Sequence, residues 1–177
     1  MLVLPLGLEV ETLFLFNNPR NITSISSSSI DLVGSWDISE CINLTSFASN
    51  SNEITSVSAR NCLNLESISV SNSERESIDV FGCTNLNQMT VNGNLLTHLD
   101  VSGTALTYLS VMDNTNLEYI VANGIDGSGG KATLLLNNCG LTAQALNTFM
   151  SSLGVNESSK NLLSITGNPG EKKSNIS

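Results

Sequence analysis

The chain has 177 residues, enough for one domain; 40% are hydrophobic and only 13% charged, about half the usual charged share. Seven Lys plus Arg and a net charge of −9 leave no basic cluster, so nucleic acid is not an expected partner. No apolar run is long enough to span a bilayer, and the abundance of Ser, Asn and Thr suits a stacked β surface with short turns.

Met1 to Leu8 is apolar but short, without a basic start or a small-residue cleavage site, and makes a poor signal peptide. The chain is therefore either kept inside a cell or a piece of a longer one. Leu2, Leu4, Leu6 and Leu8 alternate as a strand would, with Pro5 able to blunt an outer edge. Val3 makes that strand apolar on both sides. Residues 1–9 are thus expected to form an N-terminal edge strand or cap that packs under another copy or a flanking domain.

Residues 10–122 repeat a four-slot template. An apolar residue is followed after two positions by a second, after one more by a small or apolar third, and after two by a small polar fourth. Clear copies include Leu44, Phe47, Ser49, Asn52; Ile54, Val57, Ala59, Cys62; and Leu106, Leu109, Val111, Asn114. The fourth slot falls at Asn18, Ile30, Cys41, Asn52, Cys62, Ser73, Cys83, Asn94, Thr104 and Asn114, in steps of 10 to 12. Alternate copies differ in the distance to the next anchor, so the true period is two units. One coil of ~21 residues then holds two short strands. The second and third slots point into one core, which only stacked coils can bury. The fourth sits where the chain bends inward, and a small polar side chain there can bond backbone groups left unpaired by the bend. Ile30 breaks that slot, and Arg75 breaks the first slot of its own copy.

Cys41, Cys62 and Cys83 are 21 apart, one per coil. They are read as a column of reduced, buried thiols in the ladder slot. The paired short spacings of a zinc site are missing, and neither metal nor cofactor is expected. Ser73 in the equivalent slot makes Cys62→Ser a mild substitution on this reading.

Residues 123–133 form a Gly-rich loop. Five residues separate Gly124 from Gly130 and Ala132 follows Lys131, so it lacks the phosphate-loop pattern. Over 134–170 a strand-helix-strand unit is expected. Leu134, Leu136 and Cys139 restart the pattern; Thr142 N-caps a helix with Leu146, Phe149, Met150 and Leu153 on one face, ended by Gly154; Leu163, Ile165 and Asn168 make a last strand. A tail, 171–177, follows.

Outward positions fall into two sets. One includes Ser46, Ala48, Asn50; Ser67, Ser69, Ser71; Gln88, Thr90, Asn92; and Tyr108, Ser110, Met112. The other includes Ser56, Ser58, Arg60; Ser77, Asp79, Phe81; and His98, Asp100, Ser102, and is chemically more varied. His98, Asp100 and Ser102 hold triad chemistry, but residues two apart on a strand are ~7 Å apart, too far for a triad's direct hydrogen bonds. Asp79 and Asp100 read as solvated carboxylates on neighbouring coils. Four Asn-x-Ser/Thr sequons (Asn21, Asn43, Asn156, Asn175) matter only in a secreted eukaryotic protein.

The stretches LTHLDVSGTALTYLSVMDNTNLEYI and FGCTNLNQMTVNGNLLTHLDVSG resemble the nested leucine-rich repeats of about 21 residues in Bacteroidetes surface proteins, and the cysteine-ladder internalins. The resemblance covers about residues 10–168. It implies a leucine-rich-repeat solenoid, mainly β, with one α-helix near the C-terminus, that binds protein or glycan at a cell surface. It departs at Ile30 and Arg75 and in having no visible secretion signal, and the tail resembles the start of a closing segment that normally runs further. It also matches the first outward set to the concave strands where ligands bind. Gln88, Thr90, Asn92, Tyr108, Ser110 and Met112 are then the expected contact residues, because Tyr108 and Met112 add contact area. The expected function is a non-catalytic binding or adhesion module, extracellular or at the cell surface if part of a longer secreted chain. The alternative is a fibre or decoration protein of a phage virion, which needs no signal peptide.

Overall fold

A computed structural model describes residues 2–3, 12–14, 22–27, 33–125, 132–153 and 162–171. Its strands are β1 (Leu2–Val3), β2 (Thr12–Phe14), β3 (Ser24–Ser26), β4 (Val33–Asp37), β5 (Ser46–Ala48), β6 (Glu53–Ser58), β7 (Ser67–Ser69), β8 (Ser77–Asp79), β9 (Gln88–Thr90), β10 (His98–Asp100), β11 (Tyr108–Ser110), β12 (Tyr119–Val121), β13 (Thr133–Leu135) and β14 (Leu162–Ser164). One helix, α1 (Ala143–Ser152), lies between β13 and β14.

The strands stack as a parallel β-solenoid. A first sheet runs β1-β3-β5-β7-β9-β11-β13-β14; the opposite side carries β2-β4-β6-β8 and then β10-β12. Equivalent slots meet in register, as in Phe47 with Ile68, Met89 with Leu109, and Val57 with Ile78. The slot template maps onto the core. Leu44, Phe47, Ser49 and Asn52 are all buried, as are Leu106, Leu109, Val111 and Asn114. One apolar cluster runs from Ile25 to Phe149, as expected where each coil's apolar row is covered by the coils beside it. Residues 33–125 contain no helix.

Every described ladder residue between Cys41 and Asn168 follows a residue with positive φ. On one side these are Glu40, Asn61, Gly82 and Gly103; on the other, Ser51, Asn72, Gly93, Asp113, Asn138 and Gly167. The left-handed residue turns the chain inward and aims the next side chain along the stack. Gly93 is doubly required, since a Cβ there would lie 2.7 Å from the Asn72 amide oxygen of the coil below.

The fourth-slot side chains form two ladders. On the first-sheet side, Asn94 Nδ2 donates to the Val70 carbonyl (2.8 Å), Asn114 Nδ2 to Val91 (2.8 Å) and Asn168 Nδ2 to Leu136 (2.6 Å). Asn52 does the same to Ser27, and the Cys139 thiol to Val111 at 3.2 Å. On the other side the Cys62 thiol donates to Ile38 (3.1 Å) and Cys83 to Ala59 (3.0 Å). Each donor satisfies the third-slot carbonyl of the preceding coil. A thiol thus performs the amide's task in less space.

Two ladder residues depart from this: the Thr104 hydroxyl donates within its own coil, to Val101 at 2.7 Å, and the other is Ser73. Its hydroxyl accepts from the Asn52 N–H at 3.2 Å and is turned toward the Ser71 carbonyl at 3.4 Å, not toward Ser49. The Ser49 carbonyl is taken instead by Arg75 Nη2 at 2.6 Å. Arg75 is fully buried in a slot that holds Ile54 and Leu96 in the adjoining coils. The residue that breaks the pattern at 75 therefore supplies the donor missing at 73.

Cys41, Cys62, Cys83 and Cys139 are free and buried. Burial pushes the Cys62 thiol up to about 12 and the other three up to about 11. Raised values mean that the thiols' stabilisation is complete below the ordinary thiol pKa near 9 and is lost as pH rises through 11 to 12. Native protein is accordingly expected to resist thiol reagents at about pH 8, label fully after unfolding, and lose stability above about pH 9 more steeply than Cys62→Ala. Rapid native labelling, followed by mass, would show that the column is open.

Thr142 caps α1, its hydroxyl accepting from the Ala145 N–H at 3.2 Å. Leu146 and Phe149 face the core, whereas Met150, expected beside them, is 45% exposed. One further turn position has carried it past the buried stripe. The helix ends with Leu153 in an extended conformation. Ser152 Oγ accepts from the Ala122 N–H at 3.2 Å, so α1 packs against β12 where the next second-side strand would lie. Leu2–Val3 pairs with β3 as the first described strand of the first sheet. Asn18, Ile30, residues 4–9, most of the Gly-rich loop (126–131), Gly154 and residues 172–177 lie outside the described residues.

Candidate functional site

The second side of the solenoid is interrupted once among the described residues. Below the interruption the Ala59 and Asn61 N–H groups donate to the Asp79 and Phe81 carbonyls, both at 2.8 Å. Above it, Val101 and Gly103 donate to Val121 and Asn123, both at 2.9 Å. Between β8 and β10 no such bond joins Val80 to Asp100 or Gly82 to Ser102, and the two strands are not paired. The same coils stay joined on the first sheet through β9 and β11.

The interruption opens a cleft of about 520 Å³ lined by Arg60, Ser77, Ile78, Asp79, Phe81, His98, Asp100 and Ser102. That size lies within the range of small-ligand sites. Arg60 Nη1 donates to Asp79 Oδ2 at 2.7 Å, and its guanidinium lies 4.9 Å from the centre of the Phe81 ring. The pair is open to solvent and contributes little to stability. Asp79 Oδ1 accepts from the Phe81 N–H at 2.9 Å, and Asp100 Oδ1 from the Ser102 N–H at 2.9 Å. These Asx turns pin both carboxylates. Asp79 thus has both oxygens engaged, while Asp100 presents Oδ2. The His98 ring meets Thr97 Oγ1 at 3.1 Å, and Phe81 is 63% exposed.

His98, Asp100 and Ser102 share this cleft but form no relay. Ser102 Oγ accepts from the Asn123 N–H of the next coil at 3.1 Å, and no bond links it to His98. Among the described residues no three His, Cys, Asp or Glu side chains gather as a metal site would require, and no helix is long and apolar enough to cross a membrane.

The contact residues expected on the first sheet are placed differently. Gln88 is exposed; Thr90, Asn92, Tyr108 and Met112 are half-buried; Ser110 is fully buried. Asn92 Oδ1 accepts from Ser110 Oγ at 2.8 Å and from the Met112 N–H at 2.9 Å. Its own N–H donates to Ser71 Oγ at 3.2 Å, and Asn50 Oδ1 accepts from the Ser71 N–H at 2.7 Å. Asn50, Ser71 and Asn92 therefore form an outer ladder that ties coil to coil. Ser110 cannot meet a ligand as it stands, and the Asn92 side-chain oxygen already accepts two bonds. An outward polar residue on a solenoid strand is as readily taken by the next coil's backbone as by a ligand, and strand alternation does not distinguish the two. For the second side, the legible signal was its chemical variety, Arg60 and Phe81 above all.

Compared with known proteins, the chain matches no family profile, no curated protein and no solved structure.

Proposed function

We propose that this chain is a non-catalytic recognition module of the leucine-rich-repeat type, which takes a protein or glycan ligand at a cell surface through the cleft between β8 and β10. The repeat assignment rests on the four-slot template and its Asn/Cys ladders. One observation carries the functional reading. Where the second side is interrupted, an aromatic ring, a guanidinium, a histidine and a carboxylate with one unengaged oxygen converge on one open cleft. Immobilised glycan and peptide libraries test it. A ligand from either library is expected to bind the natural chain and to be lost with the exposed pair Arg60→Glu and Phe81→Ala. No ligand from either library, or one indifferent to that pair, defeats the reading.

A further inference from the structure

We infer that the ligand of this cleft is a neutral carbohydrate, a pyranose unit laid on Phe81 with its hydroxyls bonded by Asp100 and His98; this rests on the reading of the cleft as a binding site. Phe81 carries the only aromatic hydrocarbon ring lining it, 63% exposed, with the Arg60 guanidinium 4.9 Å from the ring centre on one side. An exposed aromatic ring matches the apolar C–H face of a sugar ring, and it adds contact area at small conformational cost. Asp100 Oδ2 is an acceptor on a carboxylate already oriented by Ser102, and the His98 ring is set by Thr97. A hydroxyl both donates and accepts, so a carboxylate and an imidazole two positions apart on one strand face suit hydroxyls of one ring.

Charge selects further. The cleft holds one cation, Arg60, against two carboxylates, Asp79 and Asp100, for a balance of −1 with His98 neutral, on a chain of net charge −9. Arg60 is already paired. Sulfated, phosphorylated and uronic-acid chains would meet like charge with no unengaged guanidinium to receive them. A protein ligand would need apolar anchoring, yet Phe81 and Ile78 are the only apolar residues in the lining, and Ile78 is 7% exposed.

The test is titration of the isotope-labelled full chain with cellohexaose, maltohexaose and mannohexaose, with heparin hexasaccharide as the anionic probe, following backbone amide shifts. At least one neutral hexasaccharide is expected to shift amides in 77–82 and 98–102. Phe81→Ala and Asp100→Asn should each raise its Kd on the order of tenfold. Asp100→Asn keeps the oxygen that caps Ser102, and Phe81 is exposed, so unchanged amide spectra elsewhere verify the fold of both variants. Heparin binding without neutral binding overturns the inference, as do shifts confined to the first sheet or a Kd that neither variant moves. Peptide-library ligands at the cleft with no response to any neutral hexasaccharide overturn the carbohydrate assignment and leave the cleft a binding site. Silence toward sugars and peptides alike overturns both.

Discussion

Ser73→Asn combined with Arg75→Leu is expected to be more stable than the natural chain by about 2 kcal/mol, because a buried charge without a carboxylate partner is replaced by regular packing. Burial lowers the Arg75 guanidinium from 12.5 to about 10, so it remains charged at neutral pH. Its Nε and Nη1 are buried without partners. In the double variant, the amide introduced at position 73 reaches the Ser49 carbonyl as Asn94 reaches Val70. The aliphatic side chain introduced at position 75 joins the row of Ile54 and Leu96. Each change alone does less well. Ser73→Asn sends a second donor to a carbonyl that Arg75 already holds, at a cost of roughly 1–3 kcal/mol in overpacking. Arg75→Leu leaves the Ser49 carbonyl unpaired, which costs about 1–3 kcal/mol and offsets the relief of the buried charge. The cycle should therefore show a favourable coupling of at least about 1 kcal/mol. Urea unfolding followed by Trp36 fluorescence and circular dichroism measures it. Additive effects would show that residues 73 and 75 do not share the Ser49 carbonyl.

Asn114→Leu is expected to cost about 4 kcal/mol. The Leu96 N–H loses its acceptor, at about 1–3 kcal/mol, and a branched apolar side chain overpacks the ladder slot, at about 1–3 kcal/mol. Val91 keeps Asn94 Nδ2 (2.9 Å) and Val111 keeps the Cys139 thiol (3.2 Å). Asn114 is fully buried, and its Nδ2 donates to both Val91 and Val111 at 2.8 Å while its Oδ1 accepts from the Leu96 N–H at 3.4 Å. Leucine can replace none of these bonds. Cys62→Ser, expected from Ser73 to be mild, is revised upward to about 1–2 kcal/mol. Ser73 itself does not reach the preceding coil's carbonyl and depends on Arg75, and no arginine stands at the equivalent place after Cys62, where the buried first-slot residue is Leu65. A shorter C–O bond leaves the hydroxyl short of the Ile38 carbonyl. Urea midpoints of the two variants test the ranking, and equal costs would show that ladder amides contribute no more than ladder thiols.

The solenoid was legible because burial repeats with the chain: Leu44, Phe47, Ser49 and Asn52 could be assigned to the core from spacing alone. The ladder was legible for the same reason, since Cys41, Cys62 and Cys83 recur where Asn recurs on the other side. What spacing could not carry is the exchange between positions 73 and 75, since it needs the path of one long side chain across the core. Nor could it carry the cleft. Ser77 and His98 are 21 residues apart, as Ser56 and Ser77 are, so an unbroken period conceals a broken pairing. The left-handed residues before each ladder slot had a compositional signal, Gly at 82, 93, 103 and 167 with Asn at 61, 72 and 138, that the four-slot template did not include.

In a linear stack, cooperativity passes only between adjacent coils, through whatever interface they share. Between the coils of β8 and β10 that interface lacks the strand pairing of its second side, where the Leu95 N–H to Arg75 carbonyl bond (2.9 Å) remains at the entry. Nearest-neighbour coupling is therefore weaker there than between the coils of β6 and β8, which are paired on both sides. The chain divides into an N-terminal block holding the column Cys41, Cys62 and Cys83, and a C-terminal block closed by α1. Partial unfolding that starts at either end is set to pause at this boundary, so the opening that shapes the cleft also sets the size of the cooperative units.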